Sequence, residues 1–141
     1  MTTKSSGFSL IELLVVVAII GILSAVGTLT YSGYVKGAKR NSAENTIQQI
    51  SLAQSEYYSN TGSYYITGVG DSCTASSDTS EDIEDTLFDG ENAIPDDIDF
   101  EICVFGDTGN YTIFAQETNP VTSTCSITIT KYGTPQRADN C

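Results

Sequence analysis

Three residues near the N-terminus, Gly7, Phe8 and Glu12, have types and spacing that could do chemistry. Glu12 stands just inside an apolar run, "GFSLIELLVVVAIIGILSAVG" (residues 7–27), and no charged residue occurs between Leu13 and Val26. An acid at mid-membrane costs about 3 kcal/mol, and less near the interface. A carboxylate kept there needs a partner. Cutting the chain between Gly7 and Phe8 would create one, a new α-amino group about one helical turn from Glu12. A cation from a neighbouring copy would serve equally well. An interchain amine–carboxylate pair forms only when a second subunit packs alongside with the right stagger. Glu12 would then select register during assembly, a role attested for buried polar groups.

Other chemistry finds less support. The chain has 141 residues, a net charge of -12 and no histidine, which removes Ser-His and Cys-His nucleophile pairs. We expect no enzyme. Of the 18 acids, 13 lie between Asp71 and Asp107 with no Lys or Arg among them, which reads as a solvated surface. "DDIDFE" (residues 96–101) alternates like a strand edge and is not a paired-carboxylate site. Oxygen ligands abound around Asp82, Asp85, Asp89 and Asp96, so calcium is the one ion the composition leaves open. The spacing does not match an EF-hand loop, and the expectation is no metal and no cofactor. The acidity also argues against nucleic-acid partners; Lys131 and Arg137 are the bases near the C-terminal end. "NYT" at Asn110 is a glycosylation sequon by pattern alone.

Cys73, Cys103, Cys125 and Cys141 form no C-x-x-C pair, so zinc is improbable and disulfides in an oxidising compartment are expected. Four cysteines allow three pairings. The tail "YGTPQRADN" has little apolar content to hold it down, which favours Cys125–Cys141; closing that loop contributes roughly 3 kcal/mol. Cys73–Cys103 would then tie the acidic segment to the rest.

These residues need elements to hold them. The stretch from Phe8 to about Val35 is long enough to cross a bilayer as a helix. A cleaved secretory signal ending at "AVG" (residues 25–27) and a plain single-pass anchor are the two simpler readings, and both leave Glu12 unexplained. From Lys36 to Ser59 the pattern is amphipathic, with Ala43, Ile47, Ile50, Ala53 and Tyr57 on one face. One long helix from Phe8 to near Ser59 is therefore expected, stopped by "NTG" (residues 60–62). Residues 67–97 are acidic, Ser/Thr-rich and weakly periodic, which suggests a long loop with at most a helical turn near Glu81–Phe88. Then alternation begins. Phe100, Ile102 and Val104 share a face, as do Tyr111, Ile113 and Ala115, and Cys125, Ile127 and Ile129; Ser126, Thr128 and Thr130 point the other way. Short turns, "GDTGN" and "ETNPVTS", separate the three strands, which predicts an antiparallel meander covering the helix stripe.

The segment "GFSLIELLVVVAIIGILSA" resembles the N-terminal signature of type IV prepilins, and "EYYSNTGSYYI" (residues 56–66) resembles the helix end of many pilins and pseudopilins. The resemblance implies cleavage by a prepilin peptidase after Gly7, N-methylation of Phe8, and pairing of Glu12 with the terminal amine of an adjacent subunit. It also implies the α+β pilin fold, a long N-terminal helix packed on a small antiparallel sheet, and it matches the C-terminal disulfide-bounded region of many pilins. Two features depart from the pattern. The leader "MTTKSSG" has one base, Lys4, with Lys36, Lys39 and Arg40 beyond the span, and the helix-breaking proline found near Leu29 in many relatives is missing. Gly21, Gly27, Gly33 and Gly37 could loosen the helix or let neighbouring helices pack closely.

The expected organisation is a leader (1–7), a transmembrane or filament-core helix (8–35) and a globular domain (36–141). That domain comprises the helix's second half (36–59), an acidic loop (60–97), a sheet (98–131) and a disulfide region (125–141). The implied function is structural subunit of a type IV pilus. The subunit would be held in the inner membrane, then assembled by inner-membrane machinery into an extracellular helical homo-oligomer. Such filaments serve twitching motility, adhesion, DNA uptake or surface sensing. A pseudopilin of a type II secretion system is the alternative within the same machinery, and some of those bind calcium in their loops. A monomeric membrane-anchored binding module or adhesin is the alternative outside it, and leaves Gly7, Phe8 and Glu12 without a purpose.

Overall fold

In a computed structural model of the chain, residues 7–118 and 125–141 are described. Most of the leader and most of the expected "ETNPVTS" turn lie outside those residues. The chain divides into two compact units, one ending at Ala38 and the other running Lys39–Cys141. A single helix, α1 (Leu10–Thr61), supplies residues to both.

Among the described residues of the first unit, the N-terminal part of that helix is the only regular element. Leu, Ile, Val and Ala fill it without proline, so every backbone hydrogen bond can be made within the segment, as a bilayer requires. Every described side chain from Gly7 to Tyr34 is exposed. The helix is long and apolar enough to cross a membrane.

In the second unit α1 becomes one-sided. Ala43, Thr46, Ile47, Ile50 and Gln54 are buried, while Ala53 and Tyr57 are only half-buried. The helix ends at Thr61, where Gly62 takes a left-handed conformation (φ +79°) and its N–H donates to the Tyr58 carbonyl (2.8 Å). That is the glycine stop expected from "NTG".

The expected three-strand antiparallel meander is present: β2 (Phe100–Asp107), β3 (Asn110–Glu117) and β4 (Ser126–Thr130). Ala115 faces Ile102 and Ile127 across the ladder, and Ile113 faces Val104 and Ile129. These rows, with Tyr111 and Cys125, cover the α1 stripe in one apolar core that also takes in Ile83, Ile94, Ile98 and Phe100. Burying each such side chain stabilises by about 1.5–3 kcal/mol. Gly106 (φ +143°) sits where the β2–β3 turn closes, and any Cβ there would meet the Asn110 carbonyl oxygen at 2.4 Å.

Two short strands extend the meander, so the sheet is mixed and not purely antiparallel. β1 (Gly68–Val69) pairs parallel with β2, and β5 (Gln136–Arg137) pairs antiparallel with β4. The acidic segment is also more ordered than a long loop. It holds a helix, α2 (Ser77–Leu87), and a 3-10 turn at Asp96–Ile98. Ser76 caps α2 reciprocally with Thr79: the Thr79 N–H donates to Ser76 Oγ (3.3 Å), and the Ser76 N–H donates to Thr79 Oγ1 (3.0 Å). Only Ile83 among its apolar residues is fully buried, which is why the periodicity looked weak.

The start of α2 also closes the open edge of β2. The Ile102 N–H donates to Ser80 Oγ (3.0 Å) and Thr79 Oγ1 donates to the Ile102 carbonyl (2.8 Å). One pair further on, Val104 bonds Thr67 through its N–H (3.0 Å) and its carbonyl (2.8 and 3.0 Å). Hydroxyl side chains thus satisfy an edge that would otherwise invite another strand.

Candidate functional site

The N-terminal motif lies at the start of α1. Gly7 and Phe8 precede the helix and are exposed. Ser9 is the residue before the first helical position, and its carbonyl accepts from the Glu12 N–H (3.1 Å) and the Leu13 N–H (3.2 Å). Glu12 answers from the other side, its Oε2 accepting from the Ser9 N–H at 2.9 Å. The carboxylate therefore has a partner within its own chain. Sequence reasoning missed this pair although the signal was there. "SLIE" (residues 9–12) has the S-x-x-E spacing of a capping box, in which the third helical residue reaches back to the cap. Gly21, Gly27, Gly33 and Gly37 have no neighbouring atom within 4 Å of where a Cβ would stand, so nothing among the described residues of this chain packs on them.

In the second unit, disulfides join Cys73 to Cys103 and Cys125 to Cys141. The first fixes the segment before α2 to the buried middle of β2. The second binds the tail to the start of β4. Polar contacts reinforce the tail from α1. Arg40 donates to the main-chain oxygen of Cys141 and to Glu117 Oε2 (3.3 Å). Glu117 is buried at the end of the inward β3 row, where an unpaired carboxylate would be costly, and Arg40 compensates it. Arg137 bonds Glu44 Oε1 (2.6 Å) and Asn41 Oδ1 (2.7 Å), and Glu44 holds its guanidinium protonated more firmly than usual. Arg137 is thus committed to α1.

The tyrosine-rich helix end folds back on itself. Gln54, fully buried, accepts from the Tyr65 N–H (2.9 Å) and donates to the Tyr65 carbonyl (2.8 Å). Tyr58 stacks on Tyr64 (4.5 Å between ring centroids), and Tyr64 leans on Tyr111 (4.8 Å). Lys131 Nζ lies over the Tyr64 ring at 4.8 Å and beside Tyr132 at 5.2 Å, while donating to the Gly109 carbonyl (3.1 Å). Its pKa is raised, chiefly by the Tyr64 and then the Tyr132 hydroxyl. The Tyr111 hydroxyl meets Ser51 Oγ at 2.8 Å, and burial is the main cause that raises its pKa.

The acids suspected of holding an ion are not brought together. Asp82 and Asp85 lie on α2, Asp89 follows it, and Asp96 lines a groove with Glu81, Glu84, Asp99 and Glu101. Glu84 accepts from the Ile94 N–H (2.7 Å), Glu101 bonds Ser80 (2.5 Å) and Asp99 pairs with Lys39 (2.5 Å). Among the described residues no group of three or more Cys, Asp or Glu is placed to hold a metal ion. Asn110 opens β3, its side-chain oxygen accepting from the Tyr111 N–H (3.0 Å).

A long apolar N-terminal helix, a small sheet and a C-terminal cystine make the α+β architecture of a pilin, and residues 2–28 match the family described as the prokaryotic N-terminal methylation motif. Over its N-terminal part the chain is similar to type IV pilins. Its curated relatives include the "Fimbrial protein EcpC" of Eikenella corrodens, 46% identical over 56 residues, which cover 40% of this chain and 37% of that one. "Type IV major pilin protein PilE1" of Neisseria gonorrhoeae is 41% identical over 64 residues, 45% of this chain and 39% of its own. "Type IV major pilin protein PilA" of Myxococcus xanthus (strain DK1622) is 34% identical over 61 residues, 43% of this chain and 28% of its own. The matches thus span under two fifths of these relatives' lengths. No solved structure matches the chain significantly.

Proposed function

We propose that the chain is a structural subunit of a type IV pilus. It is made with the leader Met1–Gly7, cut by a prepilin peptidase before Phe8, and N-methylated there. It resides in the inner membrane by its apolar helix and is then drawn by the assembly machinery into a helical filament of its own copies. One observation carries this reading: the apolar side chains from Leu10 to Val26 lie all round α1 and are exposed, as are Leu10 (81%) and, just before the helix, Phe8 (84%). A helix apolar on every side is not a surface for water. Lipid first and neighbouring helices later are the two environments that satisfy it, and the processing motif is what distinguishes a filament subunit from a plain anchor.

In this reading Glu12 faces the new amine of Phe8 on an adjacent subunit and selects the stagger at which helices join. The cystine-closed tail and sheet form the outer part of the filament. N-terminal sequencing of sheared surface filaments tests the proposal. The expected first residue is methylated Phe8, and Gly7→Ala leaves uncleaved precursor in the membrane. A mature chain beginning at Thr28 would indicate an ordinary signal peptide and overturn the reading.

A further inference from the structure

The Ser9–Glu12 contact gives Glu12 a task that precedes assembly. We infer that Glu12 is a positioning residue for its own helix. Its Oε2 caps the first turn through the Ser9 N–H, and this fixes the carboxylate before any neighbouring subunit is met. Only its bearing on assembly rests on the function proposed above; the cap itself does not.

Three observations converge. The first helical N–H groups have no intrahelical acceptor, and in an apolar setting each unsatisfied donor is costly. Glu12 occupies the third helical position, the one from which a side chain can reach back, and its Oε2 stands 2.9 Å from the Ser9 nitrogen. Among the described residues, the side chains that line the space beside Glu12 are the apolar Phe8, Ile11, Val15 and Val16. A carboxylate at this end of a helix also meets the positive end of the helix dipole, so it is stabilised and not merely tolerated.

The consequence is a division of labour between two oxygens. Oε2 is committed to Ser9, and the remaining oxygen is held in a defined direction. Cleavage before Phe8 leaves the Ser9 N–H intact, so the cap survives processing. In a lone subunit the acid is then not a bare charge awaiting rescue. It is a half-satisfied group, whose exposed half accepts the incoming amine without first having to be ordered.

Replacing charge and acceptor separately tests this. Uncleaved full-length chain would be purified in detergent micelles as wild type, Glu12→Gln and Glu12→Val. The readout is amide hydrogen exchange at Ser9 by NMR, taken relative to Phe8 in the same chain to cancel differences in micelle depth. Glutamine keeps an acceptor oxygen and loses the charge; valine loses both. The cap predicts that Ser9 exchanges at the wild-type rate in Glu12→Gln within a factor of about 3, and about 5- to 10-fold faster in Glu12→Val, a change typical of a lost cap. Equal exchange in all three chains overturns the inference, and so does a Glu12→Gln chain that matches Glu12→Val. No filament is needed for this measurement. A mature chain that begins elsewhere would therefore defeat the proposed function and leave the exchange pattern as it is.

Discussion

The two units solve opposite problems. In the first, every described side chain from Gly7 to Tyr34 is exposed, and the sole acid is spent on its own backbone. In the second, the apolar core is closed and three ion pairs form within the chain: Lys39 with Asp99, Arg40 with Glu117, Glu44 with Arg137. One unit is complete only in the company of other molecules. The other closes its core internally and adds two covalent staples. A defect in the first should therefore appear in association, and a defect in the second in folding stability.

The largest effect expected is on association. With Glu12→Val as the only subunit, few or no filaments should form, while subunit abundance in the membrane stays at wild-type level, because the loss of the first-turn cap is offset by the removal of an intramembrane acid. Immunoblotting of whole cells and of sheared filaments from the same culture makes the comparison. Normal filament yield would break the pairing role, and loss of the subunit itself would erase the contrast between the units.

Next comes the tail. Cys141→Ser opens the Cys125–Cys141 loop and should lower the stability of the second unit by about 3 kcal/mol, within the usual 2–5 kcal/mol for a lost native disulfide. Urea unfolding followed by tyrosine fluorescence would show it, since the tyrosines at residues 57, 58, 64, 65 and 111 all lie in this unit. The apolar helix should keep its far-ultraviolet signal in micelles. A loss under 1 kcal/mol would mean that Arg40 and Arg137 hold the tail without covalent help.

A smaller effect is expected at Gln54. Gln54→Leu keeps much of the volume but leaves the Tyr65 N–H and carbonyl without their side-chain partner. Stranding buried polar groups costs about 1–3 kcal/mol, so a loss near 2 kcal/mol should appear in the same urea experiment. Glutamate at this position would be worse, because it buries a carboxylate whose second oxygen faces the Tyr65 carbonyl with no donor between them.

Gln54 also shows where the sequence ceased to be legible. The α1 stripe and the three strands follow from periodicity, and Ala43, Ile47, Ile50, Ile102, Ile113 and Ile127 are buried as their spacing suggests. Period alone places Ala53 and Tyr57 on the same face, yet the stripe turns aside to bury a glutamine. Nothing local demands that; the reason is a backbone segment eleven residues away that needs a donor and an acceptor. The start of α2 was hidden for a similar reason. Its cap is Ser76 with Thr79, an uncommon variant of the box, and its hydroxyls are occupied with β2, which lies some twenty residues further on. β1 pairs parallel through two residues only, too few to leave a pattern. At the N-terminus Gly7, Phe8 and Glu12 stand out by residue type, whereas the Ser9–Glu12 bond is signalled only by an S-x-x-E spacing at the edge of an apolar run.

The smallest effect concerns pH, and it separates the units by their titratable groups. Tyr111 is buried, bonds Ser51 and has its pKa raised above the ordinary 10.0, with burial as the first cause. A raised pKa means that the folded state holds the phenol proton more tightly than the unfolded state. Its contribution to stability is fully present below pH 10.0 and is lost as pH rises through the folded value. Lys131 acts in the same sense, since its ammonium over the Tyr64 ring is likewise favoured in the folded state. Stability of the second unit should therefore be flat through neutral pH and decline on the alkaline side. Tyr111→Phe should lower stability at neutral pH by about 1 kcal/mol for the lost Ser51 bond, and should flatten the alkaline decline. Urea midpoints of wild type and variant across the two ranges make the measurement. An equally steep decline in Tyr111→Phe would assign the alkaline sensitivity to Lys131. Lys131→Met, which keeps an unbranched chain over the tyrosines without the charge, would then be the variant that removes it.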